Sequence, residues 1–211
     1  MTMTFGYDEY IAIGNACPVF EAAIGPLRRA YGDGADADER RTAALVPLVL
    51  ALRHSSSDDA GAKRRGFAMA DLARRWAARA FDAAGLPVQA AGLRGCEPIV
   101  DARTAKAAEA VAERVAPTPR AGELSVWAAA HATWAVAWAA RGASAGRGMR
   151  SAQEAARHAA DAATYAADAV ALAAKSAGPD LDTIELCIAD LIALVQRETG
   201  RAMNNTGSEE Q

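Results

Sequence analysis

At 211 residues the chain is long enough to bury one real hydrophobic core and amounts to one domain, or at most two small ones. Its 23 Lys and Arg against 26 Asp and Glu leave a formal charge of -3. That excludes the basic footprint of a nucleic-acid binder or of a protein held on an acidic membrane surface, so neither partner is expected.

The N-terminal Met1–Phe5 has neither a basic run nor an apolar core, so no secretory signal is expected. Tyr7 to Tyr31 reads as two short helices, the second opened by Cys17-Pro18 and stopped at Gly32-Asp33-Gly34. Ala37 to His54 reads as a helix with Asp36 or Asp38 near its cap. Its Leu45, Val46, Leu48, Val49, Leu50 and Leu52 make it apolar nearly all round, which predicts a central place in the core. Pro47 predicts a kink or a break one turn earlier. Ser55–Asp59 is a loop that runs into a capping signal.

From about Asp58 to Ala84, Phe67, Ala70, Arg74 and Phe81 recur at turn spacings, with Trp76 to one side. Gly85 is the expected stop. A short helix is expected from Pro87 to Gly95, a turn at Cys96-Glu97-Pro98, and a helix to Val115 capped by Asp101. Arg28-Arg29 and Arg74-Arg75 read as surface residues with buried stems.

Pro117-Thr118-Pro119 closes that helix and leads into an alanine-rich hairpin, 24 of the 56 residues from Ala121 to Ser176 being alanine. Alanine is the best helix former and lets helices approach closely, so the hairpin predicts tight packing and names no chemistry. Its helices are expected over 122–140 and 151–176, joined through Gly142, Gly146 and Gly148. Leu124 to Ala140 is uncharged for 17 residues, too short and too weakly apolar to span a bilayer. Gly178-Pro179-Asp180 precedes a last helix from Leu181 to Thr199, whose face is Ile184, Cys187, Ile188, Leu191, Leu194 and Val195. No period-two pattern appears. The expected fold is all-α: a single helical bundle-like domain over 1–199, with about seven or eight helices, a closely packed hairpin and 117–120 as the place where it could subdivide. Residues 200–211 read as a disordered polar tail.

Three cysteines, Cys17, Cys96 and Cys187, lie far apart and form no CxxC pair. They argue against a zinc site or a disulfide framework and for reduced thiols in a cytoplasmic protein. Two stripes could carry function. Trp127, His131, Trp134 and Trp138 share one helix face. They read as a core seam, expected to pack against Ala37–His54, or alternatively as the wall of a ligand pocket. Glu154, His158, Asp161, Tyr165 and Asp168 form a polar line on an alanine helix, expected to face solvent or a protein partner. A metal there is not expected, because a di-iron bundle needs Glu-x-x-His twice and Glu154 and His158 are four apart in a single copy. No catalytic residue and no cofactor is assigned: phosphate-loop, nucleophile-elbow and HExxH motifs are absent.

The run AGELSVWAAAHATWAVAWAAR followed by SAQEAARHAADAATYAADAVALAA resembles the alanine-rich, all-helical immunity proteins of bacterial polymorphic-toxin systems. The resemblance covers about a quarter of the chain. It implies a cytosolic, non-enzymatic protein that binds and occludes a cognate toxin. Two other readings stay open: a small-molecule binder or enzyme with a pocket beside the Trp stripe, and a structural component of a larger complex. A homo-oligomer is compatible with all three.

Overall fold

The computed structural model describes residues 16–31, 35–53, 55, 59–115, 157, 158, 161, 164, 165, 168, 169, 172 and 181–206. For 18, 35, 59, 60, 62, 63 and 201–206 it describes the backbone alone. The described residues are overwhelmingly helical and contain no strand. A single turn, α1 (Pro18–Glu21), precedes six longer helices: α2 (Ile24–Ala30), α3 (Ala35–Leu52), α4 (Asp59–Ala83), α5 (Pro87–Arg94), α6 (Ala102–Val115) and α7 (Leu181–Thr206). With the single turn α1 left aside, that is six helices with defined bounds, and the residues described between 157 and 172 are helical as well; seven or eight helices were expected of the whole chain.

Local signals set most of the ends. Gly85 has φ +71°, the left-handed conformation that glycine adopts without a Cβ penalty. Its N–H donates to the Asp82 carbonyl at 2.9 Å and the Leu86 N–H donates to the Phe81 carbonyl at 2.8 Å. This paired Schellman arrangement satisfies the carbonyls that end α4. At the start of α6, the Asp101 carboxylate accepts from the Thr104 N–H at 2.8 Å. The Thr104 hydroxyl accepts in turn from the Asp101 N–H at 3.1 Å, closing a reciprocal cap.

Two expectations about α3 are corrected. Of the kink or break expected at Pro47, the break is absent: the helix is continuous through it. Pro47 and Ala43, the residue whose carbonyl it fails to engage, are both exposed, so water can reach the freed group and the helix need not break. Nor is α3 central: Pro47 is exposed, Leu50 is 54 % exposed, and only Leu48, Val49 and Leu52 are buried on its second half.

The central helix is α4. One of its sides, with Met69, Leu72, Ala73 and Trp76, joins a core cluster with Val19, Phe20, Leu27, Leu48, Leu52 and the α7 seam. Its other side, with Ala70, Ala77, Ala80 and Phe81, joins a second cluster with Ala90 and Leu93 of α5, Ile99, and Ala105, Ala108 and Ala112 of α6. The α7 seam is as expected: Ile184, Cys187, Ile188, Leu191, Leu194 and Val195 are all buried. The residues described between 157 and 172 reach both clusters, Tyr165 packing on the first and Ala169 and Leu172 on the second.

A buried polar knot ties three elements together. Arg65 is 1 % exposed, its guanidinium lies 5.9 Å from the centre of the Phe20 ring, and it donates to the Ser55 carbonyl. The Ser55 hydroxyl accepts from the Cys17 N–H at 2.8 Å.

The last helix extends to Thr206, seven residues past the Thr199 where the apolar pattern ends. Gly200 therefore sits inside a helix, and a Cβ built on it meets nothing within 4 Å. Gly200→Ala is expected to stabilise the protein by about 0.5–1 kcal/mol, because it removes glycine's backbone entropy without a clash. Gly85→Ala is expected to have the opposite sign, since its backbone is left-handed. Urea unfolding of the two variants checks the pair.

Candidate functional site

An open trough lies between α3 and α7. Arg40, Ala43, Ala44 and Pro47 line it from α3, and Glu185, Ile188, Ala189 and Ile192 from α7. Both sets follow the spacing i, i+3, i+4, i+7, so each is one helix face. The alanines are too short to meet across the gap, and an open trough of about 440 Å³ remains. Its floor is apolar. Ala43, Pro47 and Ala189 are exposed, and the exposed Leu50 continues the same face of α3 one turn on.

One end of the trough is charged. Arg40 donates through Nε to Glu185 at 2.8 Å and through Nη2 to Asp182 at 2.7 Å, so the N-terminal ends of α3 and α7 lie together. The hydrogen bonds that Arg40 donates to Glu185 and Asp182 raise its pKa and hold the group protonated. These two helix starts bring together Asp36, Asp38, Glu39, Asp182 and Glu185, against Arg40 and Arg41. Acidic side chains are favoured in first helical turns, where the helix dipole is positive. Tyr31 lies behind this cluster. It is 5 % exposed, and its hydroxyl is buried with no hydrogen-bond partner among the described residues. Burial pushes its phenol up to about 12, with the Glu185 charge adding to the shift and Arg40 opposing it.

A second hollow of about 370 Å³ lies between α5 and α6, with Cys96, Gly92 and Val111 in its wall. Burial raises the Cys96 thiol, and its Sγ sits 3.5 Å from the Gly92 carbonyl. Cys187 is fully buried and is pushed up to about 12 from 9.0 by burial, with nearby Arg79 pulling the other way. Neither environment favours the thiolate that nucleophilic chemistry uses. Among the described residues no three His, Cys, Asp or Glu side chains form a group that could hold a metal.

All three cysteines are free, with Cys17 and Cys187 buried and Cys96 half-buried. One thiol is therefore expected to react with Ellman's reagent in the native protein, and the other two only after unfolding. Fast reaction of all three would contradict the buried places of Cys17 and Cys187. The raised groups also set a pH dependence. Cys187 and Tyr31 have folded values of about 12, above their ordinary 9.0 and 10.0. The stability they confer is complete below about pH 9 and is lost as pH rises toward 12. The melting midpoint is expected to fall over that alkaline window, and a midpoint flat to pH 12 would contradict it.

The residues singled out from sequence are placed unevenly. Trp127, His131, Trp134, Trp138 and Glu154 lie outside the described residues. His158, Asp161, Tyr165 and Asp168 are helical and half-buried. Asp168 pairs with Arg29 at 3.3 Å, Tyr165 packs on the core, and nearby Thr164 donates to the Ala22 carbonyl at 3.2 Å. This stretch is thus engaged with α2 and the turn before it. Arg74, read as a surface residue, is 6 % exposed and inside the fold. The α3–α7 trough was not singled out from sequence, although Ala43, Ala44, Pro47 and Ile188, Ala189, Ile192 carry matching spacings. No family model, curated protein or solved structure matches the chain.

Proposed function

We propose that the chain is a non-enzymatic protein-binding module that occludes a cognate partner, in the manner implied by its resemblance to immunity proteins. We take it to be a cytoplasmic, single bundle-like domain with the hairpin of 122–176 packed into it. The α3–α7 trough supports the binding reading. It combines an exposed apolar floor with a charged rim, the anatomy of a protein interface. Its open shape suits a protein surface better than the enclosed cavities that bury small molecules.

The test uses the product of the adjacent gene as the trial partner, co-expressed with the wild type and with Ala189→Trp. Ala189 is exposed and lines the trough, so the indole fills the space without entering the core. The wild type is expected to co-purify with the partner at one to one and to relieve any growth arrest it causes. Ala189→Trp is expected to lose both at an unchanged unfolding midpoint. A partner retained at full occupancy by Ala189→Trp would move the function off this surface.

A further inference from the structure

We infer that the occupant of the α3–α7 trough is an amphipathic helix with a basic end; this rests on the binding reading above. The lining gives the shape. Seven residues of helix rise about 10 Å, so each wall presents two turns, and the small side chains of Ala43, Ala44 and Ala189 permit close approach. A third helix laid in a furrow between two others packs its ridge of apolar side chains there. An extended strand fits poorly. Its backbone N–H and C=O groups need a sheet edge to pair with, and the walls here are two helices whose backbone groups bond within themselves.

The polar groups around the trough give the charge. Glu185 and Asp182 are acceptors, and both already hold Arg40. Asp36 and Glu39 add two carboxylates at the adjoining start of α3, while Asp38 is paired with Arg41. Acceptors and negative charge predominate, so the complementary surface supplies donors and positive charge: Lys or Arg at the end that meets Asp182 and Glu39, and Leu or Ile along the floor. Such complementarity steers encounter and makes binding sensitive to salt.

The probes are two designed 18-residue amphipathic peptides, one of leucine and lysine and one of leucine and glutamate, titrated into the full chain. The lysine peptide is expected to bind at least tenfold tighter than the glutamate peptide and to weaken several-fold between 50 and 300 mM salt. Ala189→Trp, which fills the floor, and the pair Glu39→Lys with Asp182→Lys, which reverses exposed rim charges, are each expected to weaken it at least tenfold. Binding insensitive to Ala189→Trp would be diffuse attraction to an acidic surface and would overturn the inference. So would failure of both peptides to bind, or sedimentation showing a dimer that Ala189→Trp abolishes, which would make a second copy the occupant. The two readings separate cleanly. A native partner lost on Ala189→Trp but indifferent to charge reversal leaves the binding module standing and removes the basic helix. A native partner kept by Ala189→Trp removes the module reading itself.

Discussion

Trp76→Ala is expected to lower the stability of the protein by about 3–5 kcal/mol, the range for truncating a fully buried aromatic side chain. Trp76 is 0 % exposed and stands on the side of α4 that meets α1, α2, α3 and α7. Its neighbour one turn back on the same side of α4, Ala73, is small and cannot close the space that the indole would leave. Against a typical total of roughly 5–15 kcal/mol, the loss should appear as a large fall in the urea midpoint. The indole Nε1 is buried with no hydrogen-bond partner among the described residues, which already carries a desolvation cost. Trp76→Phe keeps most of the ring and removes that donor, so it should cost far less than the alanine variant. A midpoint within about 0.5 kcal/mol of wild type for Trp76→Ala, the behaviour of an exposed site, would remove α4 from the centre of the fold.

The same helix shows what the sequence can and cannot say. The ends of α4 and α6 are legible because their causes are local: Gly85 supplies a left-handed residue and Asp101 a capping carboxylate within three residues of its target. The central helix was misread because α3 is rich in Leu and Val, while α4 buries mainly alanine between its aromatics. Ala70, Ala73, Ala77, Ala78 and Ala80 are all buried, yet alanine is equally at home on an exposed helix face, so its burial leaves no mark on the pattern. Hydropathy ranks side chains by what burial would gain and is silent on which helices meet. The trough has the same cause of invisibility. Arg40 and Pro47 are separated from Glu185 and Ala189 by more than a hundred residues of sequence, and the two sets become a surface only once α3 lies along α7. The pairing of Asp168 with Arg29, 139 residues away, leaves no mark on the sequence either.

Asp71→Ala is expected to cost about 3 kcal/mol, although a surface Asp–Arg pair three residues apart contributes roughly 0–1 kcal/mol. Burial decides between the two figures. Arg74 is 6 % exposed, and its guanidinium donates to Asp71 through Nε at 3.1 Å and Nη2 at 2.9 Å. Its Nη1 donates to the Leu93 carbonyl at 2.6 Å, which joins α4 to the end of α5. The same Asp71 oxygen accepts from the Ile99 N–H at 3.1 Å, and the other lies 3.5 Å from Arg75 Nε. Removing the carboxylate therefore strands a buried cation that stays protonated and an amide that loses its acceptor. The reverse change should be milder. In Arg74→Met the thioether fills much of the same space, and Asp71, whose side chain is 19 % exposed, keeps Ile99, Arg75 and access to water. The Leu93 carbonyl loses its donor, so a cost of about 1–2 kcal/mol remains. Urea unfolding of both single variants and the double variant gives the order. Asp71→Ala should be the least stable single variant, and adding Arg74→Met to it should restore part of the loss by withdrawing the stranded charge. Losses below about 1 kcal/mol for both single variants, or a double variant that simply sums them, would mean that this pair is solvated like any other on the surface of a helix.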